Sequence, residues 1–324
     1  MSVHAISVSA NSIKAITSSV LANIPPLVLS IMSTERYSPR YSSIETWDPE
    51  EFAESIIESQ FAAVAAVQAA RNEIASAAIA MQARLQGRGR LIYVGAGTSG
   101  RLAVQDGAEL GPTFGWPQER LLLLIAGGDE ALLRSVEGAE DDADEATRLM
   151  DQHDITTEDV LIAVAASGTT RFTLACLRQA KRRGALTLAI ANNKASPILE
   201  EADHPIFLDT GAEPVAGSTR LKAGTAQKIA LNTLSTLLMA LLGKVYHGLM
   251  VDVRALNEKL VRRSENMLIQ LTGRSRNEAQ DALKRADGSV KVAVMLLHGC
   301  DLEAARQILR TTGGRLGTAL KRIE

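Results

Sequence analysis

The chain of 324 residues is long enough for one large α/β domain and a smaller unit, and it is 46% hydrophobic but only 3% aromatic. Its core must therefore be built mainly from Ala, Leu, Ile and Val. A formal net charge of −2 gives no field of one sign that would favour nucleic acid or an anionic membrane. Two cysteines cannot form a disulfide framework and fit a reducing cytoplasm, and five scattered histidines supply no H-x-x-x-H metal pair. We therefore predict a cytoplasmic protein that binds no metal, nucleic acid or membrane.

Residues 1–33 differ in composition from the rest of the chain. They are Ser-rich, and their apolar run at 20–32 is interrupted by Pro25 and Pro26 and is too short to span a bilayer. A signal peptide would need positive charge at its start and an unbroken apolar segment. We expect a disordered extension here rather than a targeting peptide, with Met32 as an alternative start.

Residues 34–88 combine a polar stretch with a long helix. The sequence TERYSPRYSSIETW (34–47) predicts an irregular loop that can fold over a site. Asp48, Pro49 and Glu51 then supply a cap, a first-turn proline and an acid at the third helical position. The Ala-rich sequence that follows predicts one unusually long helix toward Gly87, and its length indicates contact with a second subunit.

The stretch RLIYVGAGTSG (90–100) organises the rest of the chain. Its apolar, β-favouring residues 91–94 suit a strand buried on both faces. The glycines that follow predict a tight turn, and Thr98 and Ser99 lie where a helix should begin. Free N–H groups, the helix dipole and two hydroxyls would meet there, a combination that suits a phosphate. GAGTSG lacks the third glycine of a dinucleotide site, and a simple turn with a Ser/Thr cap remains the alternative.

Short apolar segments then alternate with helical ones. Such alternation predicts a parallel sheet covered by helices on both faces, with ligands bound beyond the carboxyl ends of its strands. We assign this α/β unit to residues 89–268. Its strand candidates after the first are Leu121 to Ala126, Val160 to Ala165, Leu186 to Ala191 and Pro205 to Leu208.

A second Ser/Thr/Gly turn at this edge favours a phosphorylated ligand. Ser167, Thr169 and Thr170 follow the third strand candidate and open another helix. Two such turns in register on neighbouring strands would be unusual as mere caps.

The segment GSTRLKAGTAQK (217–228) predicts a further anion-binding helix end. Ser218 is the predicted cap, with Arg220 and Lys222 in the first turn. Cations are unfavourable beside the positive end of a helix dipole unless an anion is bound there. A solvated basic turn is the alternative interpretation. From Ile229 to Leu242 the helix is apolar on almost all sides, which predicts burial in the core or at a subunit contact.

Two carboxylates stand out near these turns. Glu109 lies two to three turns into the helix after GAGTSG, among few polar residues, where a carboxylate is seldom placed without a role. Glu140 follows the second strand candidate, and the acids around it make a solvated face the simpler interpretation on sequence alone.

From Leu271 onward the sequence predicts three short helices. Ser275 is the predicted cap of the first helix and Gly288 its stop. Residues 269–324 are therefore assigned to a helical interaction or lid module.

Several of these motifs together resemble the bacterial N-acetylmuramic acid 6-phosphate etherases. The motifs are RGRLIYVGAGTSGRL, AELGPTFG, LIAGG, SVEGAED, AASG, GSTRLKAGTAQK and VDVRALNEKL, in the family's order. The resemblance runs from about residue 34 to the C-terminus. It implies a sugar-isomerase-type (SIS, flavodoxin-like) five-stranded parallel sheet with helices on both faces. It also implies a homodimer and a small C-terminal three-helix bundle of the ubiquitin-associated (UBA-like) kind.

The resemblance further implies a reaction that needs no cofactor. The D-lactyl ether of N-acetylmuramic acid 6-phosphate is cleaved to N-acetylglucosamine 6-phosphate and D-lactate during cell-wall recycling. By the family's pattern, Glu140 is the base that removes the C2 proton of the open-chain aldehyde, and Glu109 is the donor that protonates the departing lactate oxygen. The expected phosphate and sugar contacts are Thr98, Ser99, Ser167, Thr169, Thr170, Ser218 and Lys222.

The turn after the third strand candidate departs from the family's pattern. Members usually have SGRTPY where this chain has SGTTRF, so Thr169 replaces an arginine and Arg171 replaces a proline. Two interpretations stay open: Arg171 restores the charge from two positions along, or the substrate preference has drifted.

Two alternative functions fit the same fold. An aldose–ketose sugar-phosphate isomerase also needs a C2 base but usually has a His or Lys for ring opening, and no His lies in these turns. A non-enzymatic sugar-phosphate sensor would keep the phosphate turns and be indifferent to both glutamates.

Overall fold

The computed structural model describes residues 33–253 and 258–323, so the predicted extension at 1–33 lies outside the described residues except for Ser33. The centre of the fold is a sheet of five parallel strands in the order β2-β1-β3-β4-β5. These are β1 (Leu91–Gly95), β2 (Leu121–Ile125), β3 (Val160–Val164), β4 (Leu186–Ala191) and β5 (His204–Phe207). The predicted parallel sheet is confirmed, and each strand end lies within one residue of the predicted position.

Helices cover both faces of this sheet and create two separate cores. They are α1 (Pro49–Ser59), α2 (Phe61–Ala69), α3 (Arg71–Leu85), α4 (Gly97–Phe114), α5 (Ala143–Gln152), α6 (Arg171–Arg182), α7 (Pro197–Glu201) and α8 (Lys222–Leu241). Leu91 and Tyr93 point into the core with α2, α3, α4 and α8, whereas Ile92 and Val94 point into the core with α5, α6 and α7. Because the central strands β1, β3 and β4 are buried on both faces, they need no polar alternation. In the part of the chain that the structure describes, no helix combines the length and hydropathy needed to span a bilayer.

The single long helix predicted after Asp48 is wrong, because α1, α2 and α3 are separated at Gln60 and Ala70. At the first break the side chains of Ser59 and Gln60 both donate to the Ile56 carbonyl (2.6 and 3.3 Å), in place of backbone donors. At Ala70 the backbone turns away from helical geometry (ψ 11°). These breaks allow α2 and α3 to pack separately on α8.

The C-terminal part is helical and has a core of its own. After the hairpin of β6 (Val245–Tyr246) and β7 (Leu249–Met250) come α9 (Glu258–Thr272), α10 (Arg276–Arg285), α11 (Val290–Leu297), α12 (Leu302–Thr311) and α13 (Leu316–Leu320). The three predicted helices correspond to α10, α11 and α12, and Ser275 caps α10 in a capping box with Glu278. The boundary predicted at residue 269 falls inside α9. Met267 and Leu268, which precede that boundary, already belong to the C-terminal core.

A partly buried ionic group joins the C-terminal helices to the α/β part. Asp252 accepts a hydrogen bond from Lys244 Nζ (2.7 Å) and lies 2.9 Å from Nζ of Lys291 on α11. Burial alone would raise the pKa of Asp252, but the two ammonium groups outweigh this effect and lower it. Gly115 (φ +62°) gives the Asp252 carbonyl room, since a Cβ at this glycine would lie 2.4 Å from that oxygen.

Candidate active site

The strand order places a crevice between β1 and β3. The chain runs from β1 outward to β2 and then returns to β3 on the other side of β1. In open parallel sheets, ligands bind beyond the carboxyl ends of the strands at such a reversal of strand order. The two Ser/Thr/Gly turns follow β1 and β3, so they flank this crevice.

The turn after β1 leads directly into α4 with an open helix end. Residue Ala96 occupies the N-cap position and supplies no side-chain cap, so the first N–H groups of the helix are available to a ligand. A Cβ at Gly95 would lie 2.8 Å from the backbone of Gly100, so these two glycines let strand and helix approach closely. Ser99 is buried in this turn and Thr98 is half-buried.

The turn after β3 presents hydroxyls in front of a second open helix end. Ser167 Oγ lies 3.4 Å from Thr170 Oγ1 and accepts a hydrogen bond from the Thr169 N–H (3.2 Å). The N-cap residue of α6, Thr170, makes no side-chain cap, so this helix end is also available. Gly168 has φ +72°, and a Cβ there would lie 2.3 Å from Ser196 Oγ, so only glycine fits. Arg171, the first residue of α6, is exposed.

The third predicted anion site, at the start of α8, is already occupied by a carboxylate of the chain. The helix begins at Lys222, so Ser218 is not its cap and Arg220 precedes it. The fully buried Glu213 accepts hydrogen bonds from the N–H groups of Lys222 (3.0 Å) and Ala223 (2.9 Å). The predictions of Ser218 as the cap and of Arg220 in the first turn are therefore wrong.

Lys222 belongs to this internal group. Its side chain is buried, and its ammonium donates to the Ala212 carbonyl. Burial lowers the pKa of Lys222, and the charge of Glu213 opposes that shift. Burial likewise raises the pKa of Glu213, although the backbone N–H groups of Ala223 and Lys222 oppose it. The Lys222 ammonium therefore has a carbonyl partner within the chain and the opposite charge of Glu213 nearby.

Glu140 lies on the loop that follows β2. It is exposed, in a short 3-10 turn (Ala139–Asp141) that packs against α6. Arg101 of α4 holds the start of this loop, because its guanidinium donates to the carbonyls of Ala131 (2.8 Å) and Arg134 (3.0 Å). Sequence reasoning missed Arg101, since its partners are backbone atoms about thirty residues away.

Glu109 lies far from the two turns within one chain. It follows Gly97, the first residue of α4, by twelve residues, which at 1.5 Å per residue is roughly 18 Å along the helix. Its side chain is exposed, whereas the buried carboxylate of α4 is Asp106. The structure therefore does not bring Glu109 to the two Ser/Thr/Gly turns of its own chain.

The start of the described chain lies against the same edge of the sheet. Thr34 is fully buried, and Asn193, which follows β4, donates to its hydroxyl (3.0 Å). Ser33 Oγ donates to Asn193 Oδ1 (3.0 Å), and the Gly217 N–H donates to the Thr34 carbonyl (3.2 Å). The predicted loop at 34–47 forms three short 3-10 turns with Tyr41 and Ile44 buried.

Known proteins resemble the chain in sequence and fold. Two family models match it: the glucokinase regulatory protein N-terminal SIS domain over residues 73–181 and the SIS domain over residues 133–237. The N-acetylmuramic acid 6-phosphate etherase of Deinococcus radiodurans is 50% identical over 282 residues, covering 87% of this chain and 92% of that protein. The protein of the same name from Yersinia pestis (strain Pestoides F) is 50% identical over 243 residues, covering 75% and 82%. A phosphoheptose isomerase structure from Francisella tularensis aligns with a TM-score of 0.45 and 18% identity, covering 60% of this chain and 100% of that one.

Proposed function

The chain belongs to the N-acetylmuramic acid 6-phosphate etherase family, and from this premise we propose that it cleaves the D-lactyl ether of N-acetylmuramic acid 6-phosphate. The products are N-acetylglucosamine 6-phosphate and D-lactate. The observation that carries this proposal is 50% identity over 87% of the chain and 92% of a curated etherase. The protein is thus a carbon–oxygen lyase of cell-wall recycling, built on a SIS domain.

The open helix ends of α4 and α6 hold the phosphate in this proposal. Both ends lack side-chain caps and flank the crevice between β1 and β3, and each can direct backbone N–H groups at an anion. Hydroxyl donors come from Thr98 and Ser99 on one side and from Ser167, Thr169 and Thr170 on the other. Ser218, half-buried and near Thr34, is assigned to the sugar, and Lys222 supports the site by balancing the charge of Glu213.

Elimination followed by hydration accounts for the products. In the open-chain aldehyde the C2 proton is acidic, because the carbonyl delocalises the charge left by its removal. Glu140 takes this proton, the C3–O bond breaks, and Glu109 protonates the departing lactate oxygen. Water then adds to C3 of the unsaturated aldehyde, and a proton returns to C2.

The protein acts as a homodimer in the cytoplasm in this proposal. Cys176 and Cys300 are free thiols, as expected for a reducing compartment. Exposed apolar side chains on α1 and α2, among them Ile57 (65% exposed) and Phe61 (73%), support contact with a second copy.

Measuring D-lactate released from N-acetylmuramic acid 6-phosphate tests the activity. The wild-type protein should release one lactate per substrate. Glu109→Gln and Glu140→Gln should each lower the rate by roughly 10²–10⁴-fold. In deuterated water, Glu140→Gln should also abolish exchange of the C2 proton.

A neighbouring exposed acid provides the control. Glu137→Gln alters the same loop and should retain most of the lactate release. An isomerase or a sensor would release no lactate, and undiminished release in both Glu109→Gln and Glu140→Gln would refute the assigned roles.

A further inference from the structure

We propose that each active site takes its proton donor from a second copy of the chain. Glu140 and the phosphate turns of one copy would work with Glu109 of the other copy. This inference rests on the proposed function and on the positions of the two glutamates in the fold.

The distance along α4 excludes Glu109 from the phosphate site of its own chain. Glu109 lies twelve residues beyond Gly97, roughly 18 Å along the helix axis. In an extended sugar phosphate, the phosphorus and the C3 ether oxygen are about 7 Å apart. A glutamate side chain adds about 5 Å and a hydrogen bond about 3 Å. Even with all three in line they span about 15 Å, so the donor would fall about 3 Å short of the roughly 18 Å along the helix.

The two glutamates also lie on opposite faces of the sheet. Ala103 and Leu110 of α4 pack into the core that contains Leu91 and Tyr93. The turn that carries Glu140 packs against α6, and Ala139 of this turn contacts the core on the other face. A substrate bound beside Glu140 would therefore have the edge of the sheet between it and Glu109 of the same chain.

Neither glutamate can move to the other without losing well-ordered contacts. Three residues before Glu109, Asp106 accepts hydrogen bonds from Tyr93 (2.7 Å), Asn232 (2.6 Å) and Ser235 (3.0 Å), which fix this part of α4 to β1 and α8. The loop with Glu140 is held near the start of α4 by Arg101.

Both glutamates are free to meet a second copy. Each is exposed, and among the described residues neither makes a hydrogen bond or an ion pair. The loop with Glu140 also carries Leu133, which is 90% exposed. A two-fold symmetric dimer would bring Glu109 of each copy to Glu140 of the other and so form two equal sites.

Heterodimers of inactive variants test this arrangement. Glu109→Gln and Glu140→Gln chains with different affinity tags are co-expressed, and the doubly tagged heterodimer is purified. If the donor comes from the second copy, one of its two sites has both glutamates and the other has neither, so we expect about half the wild-type lactate release. If both glutamates act within one chain, each site lacks one of them, and the heterodimer is as inactive as its parents.

The reciprocal heterodimer gives the opposite pattern. Here wild-type chain is paired with the double variant Glu109→Gln/Glu140→Gln. Donation from the second copy leaves one glutamate in each site and predicts background activity, whereas action within one chain predicts about half the wild-type rate. Half activity in this heterodimer, or full activity in a monomeric wild-type protein, would overturn the inference. A wild-type homodimer that releases no lactate would instead overturn the proposed function.

Discussion

Asp106 connects three elements through one carboxylate. It accepts hydrogen bonds from Tyr93 on β1 and from Asn232 and Ser235 on α8, so it fixes the orientation of α4. Burial, followed by the Asp106 charge, raises the pKa of Tyr93 well above its ordinary value, so the phenol remains a donor at neutral pH. The sequence argument that a buried helix carboxylate has a purpose applies to Asp106, whereas Glu109 is exposed.

Replacing Asp106 with asparagine should destabilise the fold. The Asn amide group can no longer accept from donors on both sides, so at least one of the three donors loses its acceptor. We expect the free energy of unfolding to fall by roughly 1–3 kcal/mol, measured by urea denaturation followed by circular dichroism. Glu109→Gln, three residues away and exposed, is the matched control and should change it by less than about 0.5 kcal/mol. Equal stabilities for the two variants would contradict this assignment.

At the level of elements, α4 positions the loop that carries Glu140. Arg101 donates to the carbonyls of Ala131 and Arg134 and so holds the start of this loop. A Cβ at Gly127 would lie 2.8 Å from Val136 Cβ, which shows how closely the loop folds back on itself. In the proposed mechanism, Arg101 would therefore position Glu140 through these backbone contacts.

Truncating Arg101 should affect proton removal more than substrate binding. For Arg101→Ala we expect exchange of the C2 proton to slow by about 10²-fold, since small misplacement of a catalytic group has costs of that order. KM should change little, because the phosphate turns remain intact, and Arg101→Lys should restore part of the rate. Arg134→Ala, an exposed arginine on the same loop, is the control. A rise in KM with no change in the exchange rate would argue against a role of Arg101 in positioning Glu140. So would an equal loss of activity in Arg101→Ala and Arg134→Ala.

Local sequence patterns predicted the secondary-structure elements. They could not predict the features that depend on contacts between residues far apart in the chain. The strands could be read from short apolar runs, and the crevice from two Ser/Thr/Gly turns. At the break between α1 and α2, Gln60 accepts a hydrogen bond from the Thr225 hydroxyl of α8 (2.7 Å), a distant contact that no local pattern encodes. Glu213 caps α8 from nine residues before Lys222, so its role is set by the fold. From the residues alone, the simpler prediction for Glu140 was a position on a solvated face. Its assigned role as the base came from the family resemblance.

For the whole molecule, one ionic group links the C-terminal helices to the α/β part. Asp252 lies between Lys244 and Lys291, and Lys291 is almost completely buried on α11. Burial lowers the pKa of Lys291, and Asp252 opposes that shift. Without Asp252, the buried ammonium of Lys291 would have no counter-charge at this position.

Asp252→Asn should weaken this link in a pH-dependent way. At neutral pH we expect a loss of roughly 3 kcal/mol in the free energy of unfolding, because a buried charge loses its partner. The pKa of Asp252 is lowered in the folded state, so its contribution is complete above the ordinary Asp value of about 3.9 and is lost as the pH falls through the lower folded value. Urea titrations at several pH values would measure the difference. Asp281→Asn, which alters an exposed residue, is the control. If the difference in unfolding free energy between the wild type and Asp252→Asn stayed the same in strong acid, the prediction would be contradicted.

The position of Glu213 at the start of α8, close to Lys222, has a consequence for selectivity among anions in the proposed site. The Lys222 ammonium donates to the Ala212 carbonyl and feels the charge of Glu213, so in the proposed function the phosphate is recognised at the two open helix ends by fixed amides and hydroxyls. Such donors distinguish a tetrahedral phosphate from a planar carboxylate by geometry, and bulk salt screens them less than it screens mobile exposed charges. A site of this kind can choose its ligand in a cell crowded with chloride and organic acids.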